Sequence, residues 1–383
     1  MNPYQDEAKQ YVQEHFDELC DLVKQLCRIP APSGQERPRA EFCLDWLRRY
    51  GAEGAWLDDA DNAILPLNTA GKRGFTIFSA HTDTVFPDQH PLPVREIGGH
   101  LCCPGIYDDT ANVAVLLMAA RFLLEHHIQP ARGMLIVADS GEEGLGNLRG
   151  CRRLLEEYGK YVGRLVSFDC TYHELYCRAV GSSRYRVIIR TQGGHSYFDY
   201  GNRSAIHQLS RLIDRFSSQP LPSDGKGSKT TCNVGLIRGG TSVNTIAQEA
   251  SMVCEYRSDS AWCLEQMDRA FQEIIAAFQT EDTSVEVIPL GKRPCAKDVD
   301  PQRQTALTEL CSEIISRHIG REPALRPGST DCNVPLSLGI PAVSFGLCSG
   351  EGAHTREEWL DKESLRKGLS IALDILLHDA LHE

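Results

Sequence analysis

Apolar positions spaced three and four apart run through residues 4–28 and predict an amphipathic helix that ends before the loop IPAPSG; a second helix is predicted at about 37–50. Short unbroken apolar runs then take turns with helical segments: FTIFSA, TANVAVLLMAARFLLEHH, GMLIVADS, LRGCRRLLEEYG and RLVSFD. Strands without polar alternation are covered on both faces. Their alternation with helices predicts an α/β fold, a mixed, mostly parallel sheet flanked by helices.

Near residue 182 the period changes. RYRVIIRTQG, TCNVGLIRGG and ASMVCEYRS alternate as half-exposed strands do, and SAIHQLSRLIDRFSS and AWCLEQMDRAFQEIIAAFQT are helical. After GKRPCAKDVD come a helix at about 303–319, the strand PAVSFG and a last helix at 362–381. This order predicts one α/β domain, residues 1–181 and 294–383, split around a smaller inserted α+β domain, residues 182–293.

Composition narrows the function classes. A formal charge of −12 over 383 residues argues against nucleic acid or an anionic membrane surface as partner, because both need a basic footprint. The charged, helix-patterned amino terminus lacks the apolar core of a signal peptide, and the run VAVLLMAARFLL is broken by Arg121 and too short to span a bilayer. A cytoplasmic protein is the expectation. The 15 cysteines are odd in number and form no CxxC pair, so they read as small apolar residues kept reduced, not as disulfides or a thiolate metal site.

Several strand ends carry chemistry. FTIFSA leads to His81 and Asp83, GMLIVADS to Glu142 and Glu143, and RLVSF to Asp169. Ligands of open α/β sheets bind at the carboxyl ends of strands. Each ending has a plain alternative. His81 and Asp83 also suit a polar turn, and Glu142 and Glu143 a solvated loop. In CPGIYDDTAN, either Asp108 or Asp109 can cap the following helix, worth about 1 kcal/mol, with Asp109 the better cap and Asp108 the functional candidate. His354, in the Gly-rich GLCSGEGAHTREEWL, also suits a surface loop. Together, His81, Asp108, Glu143, Asp169 and His354 make two imidazoles and three carboxylates, which suit zinc or a similar divalent ion. Two dications, three carboxylates and one hydroxide sum to zero charge. Glu142 is then left beside the ligand set, where a general base belongs.

The order H-x-D, D-D, E-E, a lone D and a distant H resembles the cocatalytic zinc peptidase and deacylase family: peptidase T, glutamate carboxypeptidase, succinyl-diaminopimelate desuccinylase, acetylornithine deacetylase and aminoacylase. The resemblance runs from about residue 25 to the carboxyl end, and HTDTVFP is nearest to peptidase T-like members. It implies that His81 and Asp169 bind one metal, that Glu143 and His354 bind the other, and that Asp108 bridges both through a residue joined to Asp109 by a cis bond. Asp83 would orient His81, and Glu142 would act as general base. The inserted domain would serve as lid and dimerisation domain of a homodimer. Within it, TQGGHSYFDYGNRSAI resembles the segment whose histidine, here His195, polarises the scissile carbonyl. GGTSVNTIAQEASMVCEYRS resembles the segment carrying a substrate-binding Asn and Arg, here Asn244 and Arg257. GSTDCNVPLSLGIPAVSFG nominates Ser329 and Thr330 as pocket residues. One departure stands out: the family reads D-D-K-x-G or D-M-K-G where this chain has Asp108-Asp109-Thr110-Ala111-Asn112.

The expected activity is therefore hydrolysis of an amide or peptide bond in a small carboxylate-bearing substrate by a water activated between two divalent ions, Zn2+ first and Co2+ or Mn2+ also compatible. A short peptide and an N-acyl amino acid are rival substrates. In the family Asp at the Asp169 position goes with peptidases and desuccinylases, which favours the peptide. A metal-binding scaffold on the same fold would need neither Glu142 nor His195.

Overall fold

The computed structural model describes residues 3–382. The chain divides into two compact units, one made of the chain up to Ala179 together with the chain from Lys297, the other of Val180–Ala296.

The larger unit is built on an eight-stranded sheet in the order Trp56–Leu57, Ala63–Leu67, Met134–Asp139, Phe75–His81, Val162–Phe168, Ala342–Phe345, Glu174–Ala179 and Ala324–Gly328. The central strands run parallel, whereas Ala63–Leu67 lies antiparallel against Met134–Asp139. All seven residues of Phe75–His81 and all six of Met134–Asp139 are buried, so these strands read as apolar runs without alternation. Helix Ala111–Glu125 is buried on every side from Ala111 to Leu123, because it lies beneath the helices Phe16–Cys27, Arg37–Arg49 and Ser364–Leu381 as well as on the sheet.

The single helix expected over 4–28 is two helices, Gln5–Glu14 and Phe16–Cys27. Between them His15 leaves the helical region (φ −105°, ψ 13°), and each segment turns its own apolar set inward, Tyr11 and Val12 before the break, Leu19, Leu22 and Leu26 after it. Helices Arg37–Arg49, Pro301–Ile319 and Ser364–Leu381 lie where the 3.6-residue period puts them. The second of these starts at Asp300, whose carboxylate accepts from the amides of Gln302 and Arg303. All 15 cysteines are free and most are buried, in keeping with an apolar packing role.

In the smaller unit, four antiparallel strands run in the order Thr230–Gly239, Glu249–Ser258, Gly181–Thr191, Thr283–Arg293. Helices Ala205–Ser218 and Ala261–Phe278 pack on one face through Leu209, Leu212, Met267 and Phe271. The strand Thr283–Arg293 escapes the alternation rule because Pro289 and Gly291 interrupt it at a bulge, which an edge strand tolerates.

Candidate metal centre

The parallel register aligns strand ends. His81 lies opposite Asp139, and Ala80 opposite Phe168, so the segments leading to Glu142–Glu143 and to Asp169 leave the sheet beside His81. His81 Nε2 lies 3.1 Å from Asp108 Oδ1 and 3.9 Å from Asp169 Oδ1. The other Asp108 oxygen, Oδ2, is 3.2 Å from His354 Nε2, which is also 3.1 Å from Glu143 Oε1. Two triads thus share one carboxylate: His81, Asp108 and Asp169 on one side, Glu143, Asp108 and His354 on the other. In each, the candidate ligand atoms lie within 4.8 Å of one another, as do those of His81, Glu142 and Glu143.

Burial decides between the alternatives the sequence leaves open. Glu142 and Glu143 are each 5% exposed, so neither is a solvated loop charge. His354 keeps 57% of its side chain exposed, yet its ring nitrogen faces the two carboxylates. Asp109 is not the helix cap. Its carboxylate accepts from the His81 backbone amide at 3.0 Å and from the Asn112 side-chain amide, which occupies both oxygens. The Asp108–Asp109 peptide bond is cis.

Asp83 braces the site from behind. His81 Nδ1 is 3.1 Å from the Asp83 carbonyl and 3.4 Å from its carboxylate, which sets Nδ1 as a donor to Asp83 and turns Nε2 toward Asp108. The same carboxylate accepts from Ser33 Oγ (2.6 Å) and from the amides of Glu142 (3.0 Å) and Glu143 (2.9 Å), so one side chain positions both the imidazole and the Glu-Glu turn.

Crowded acids perturb one another. Burial, reinforced by the Asp108 charge, pushes the Glu143 carboxyl up to about 8, and Asp169 up to about 7. Hydrogen bonds to Asp108 and Glu143 raise the His354 imidazole to about 10. For Asp108 itself burial acts upward, but bonds from both imidazoles outweigh it and hold the carboxyl below its ordinary range. A cluster that draws in positive charge through oxygen and imidazole donors in this way fits divalent cations, whose binding would displace those protons.

Sequence reasoning missed several supports. Glu358, 1% exposed, accepts from the backbone amides of Gly105 (2.8 Å), Tyr107 (2.8 Å) and Asp108 (2.9 Å) and so ties the His354 segment to the Asp108 turn. Gly105 adopts φ +75°, and a Cβ there would meet Thr84 Cγ2 at 2.5 Å. Asn112, a departure from the family pattern, donates to Asp109 and to the Cys170 carbonyl (3.2 Å) and accepts from the Leu347 amide (2.6 Å). The only signals for these were a second glutamate after His354 and an asparagine where the family pattern reads glycine.

Of the other nominated residues, Thr330 belongs to the larger unit and His195, Asn244 and Arg257 to the smaller one. Thr330 is buried, its hydroxyl accepting from the Cys332 amide in the turn before Asn333–Ser337. In the smaller unit, the short strands Gly194–His195 and Thr245–Ile246 pair, and the Ser196 amide donates to the Asn244 carbonyl, so His195 and Asn244 are neighbours. The amides of Tyr197 (3.2 Å) and Phe198 (3.4 Å) donate to His195 Nδ1, which places the proton of the neutral ring on Nε2. Arg257 is eight residues along its strand from Glu249, roughly 25 Å away at strand rise, and its fork closes on Glu255 at 2.9 and 3.0 Å.

An α/β unit whose strand ends gather buried imidazoles and carboxylates into two overlapping triads is the frame of a metal-dependent hydrolase. The chain belongs to peptidase family M20/M25/M40, whose sequence profile matches residues 77–378. Among its relatives, the succinyl-diaminopimelate desuccinylase of Corynebacterium glutamicum is 24% identical over 90% of this chain and 92% of its own. The fold is that of the aminopeptidase PepT of Bacillus cereus (TM-score 0.72, 23% identity, 95% of this chain and 99% of that one). It is also that of the YXEP protein of Bacillus subtilis, a dinuclear metal-binding peptidase (TM-score 0.62, 16% identity, 96% and 99%).

Proposed function

We propose that the chain hydrolyses an amide or peptide bond in a short, carboxylate-bearing peptide, using two divalent ions, zinc foremost. His81, Asp108 and Asp169 would hold one ion and Asp108, Glu143 and His354 the other. The observation that carries this reading is that the two Asp108 oxygens face different imidazoles, His81 at 3.1 Å and His354 at 3.2 Å, as a bridging ligand requires. When bound, such ions supply Lewis acidity and lower the pKa of a water. Glu142, buried beside Glu143, takes that water's proton on its carboxylate and passes it to the leaving amine. Asp83 keeps the proton on His81 Nδ1 throughout. His195 offers its Nε2–H to the carbonyl oxygen as charge grows there. Asn244, Arg257 and Thr330 are the proposed substrate contacts.

A homodimer in the cytoplasm, with residues 182–293 as lid and dimerisation domain, is part of the proposal. The resemblance of the inserted segment to the family's lid and dimerisation domain supports it. The free cysteines suit a reducing compartment. The desuccinylase relative favours a second reading, N-acyl-amino-acid deacylation, with the same site chemistry.

Glu142→Gln tests the mechanism. Turnover should drop about 10²–10⁴-fold while elemental analysis still finds two ions per chain. Wild-type turnover in that variant would sink the assignment. Rates on tripeptides against N-succinyl and N-acetyl amino acids separate the two substrate readings.

A further inference from the structure

Among the described residues, the two helices of the smaller unit pack on one face of its sheet. Its other face carries a groove of about 950 Å3 lined by Arg186, Ile188, Leu236, Arg238, Ser251 and Val253. Register puts these side chains together: Arg186, Val253 and Leu236 lie opposite one another across three strands, and Ile188, Ser251 and Arg238 form the next row. Their alternation partners Val187, Ile189, Met252 and Cys254 are buried under the helices.

Charge on this face is unevenly matched. Arg184 and Arg257 hold Glu255, and Arg190 holds Glu249 and Glu286. Arg186 and Arg238, both exposed in the groove, have no carboxylate partner among the described residues. They stand two strands apart and one row offset, roughly 10–12 Å between Cα atoms, so that their long side chains can close over Val253 and Ser251 onto one carboxylate. Guanidinium groups recognise carboxylates through paired hydrogen bonds, and Ile188, Leu236 and Val253 supply an apolar floor beside them. One end of the groove is formed by Gly194, Thr245 and Ile246, from the strand pair that carries His195.

We infer that this groove holds the free carboxylate and apolar side chain at the C-terminal end of a peptide of three or more residues, which extends from the His195 strand pair to Arg186 and Arg238. The inference rests on the hydrolase reading above and names its substrate class. A single N-acyl amino acid would leave the groove unused, whereas an extended peptide covers about 3.3 Å of it per residue.

The test is calorimetric binding of a hydrolysis-resistant tetrapeptide, its amide bonds reduced, that ends in leucine as the free acid or as the carboxamide. Wild-type protein should bind the acid about tenfold more tightly, a preference that added salt weakens. The double variant R186Q/R238Q should lose that preference, bind the carboxamide as wild type does and keep its thermal unfolding midpoint. On a cleavable tetrapeptide, KM should rise with kcat kept. Equal binding of acid and carboxamide by wild type, or a preference that survives the double variant, would overturn the inference. So would a change in monomer–dimer balance without a change in peptide affinity, which would make a second copy the occupant. The preference without cleavage of any amide leaves the groove standing and sinks the hydrolase reading; cleavage without the preference does the reverse.

Discussion

The carboxylate rim of the larger unit and the open sheet face of the smaller one both concentrate charge, but they manage it in opposite ways. On the rim the acids are buried, and backbone amides hold them in place: three donate to Glu358 and two to Asp83. On the open face, exposed Arg–Glu pairs such as Arg190 with Glu249 and Glu286 neutralise one another in water. A buried charge is costly without a partner, so its geometry is over-determined. An exposed pair is worth little and leaves its members free to exchange partners with a ligand.

This contrast can be broken by mutation. Replacing the shared carboxylate, Asp108→Ala, should remove both ions, visible as loss of the two-ion stoichiometry, and reduce turnover by more than about 10³-fold. Retention of two ions would refute its bridging role. Glu358→Ala leaves the five proposed ligands intact but frees three backbone amides of the Asp108 turn. Metal affinity measured against a competing chelator should fall about 10–100-fold, and unchanged affinity would mean that the turn holds its shape unaided.

A third prediction concerns Asp139 and Asp331, both fully buried, whose four carboxyl oxygens face no donor among the described residues. Sharing a proton would satisfy such a pair. Burial pushes Asp139 up to about 6 and Asp331 well above the carboxylate range. Folded pKa values above the unfolded value mean that the folded state favours the protonated form, so stability is fully present at low pH and declines as pH rises from about 4 through 6. Asp331→Asn should therefore raise stability at pH 8 by about 1–3 kcal/mol and have little effect at pH 4, as read from denaturant midpoints. A gain of equal size at both pH values would exclude proton sharing. The smallest effect belongs to the open face. Arg190→Ala should leave the denaturant midpoint where it is in the wild type despite two ion pairs, and a clear drop in that midpoint would show that exposed pairs matter here as buried ones do.

The central strands were legible because burial on both faces leaves unbroken apolar runs, and FTIFSA and GMLIVADS are such runs. Short or interrupted strands were not. Trp56–Leu57 has too few residues to show a period, and Thr283–Arg293 is broken by Pro289. The helix expected over 4–28 hid its break because His15 fits a helical pattern and only packing bends the chain there. Asp109 read as a cap because Asp favours that position, but in the folded chain the His81 amide and Asn112 lie within its reach.

The sequence by itself determined the α/β class and the residues offered at the strand ends, since apolar period and residue chemistry are local properties. Only the tertiary structure decided which of those residues meet. Parallel register lines up His81 with the exits toward Glu143 and Asp169, and Glu358, 250 positions from Asp108, anchors the turn that holds it. Such contacts join segments far apart in the chain, and each depends on the packing of everything between them.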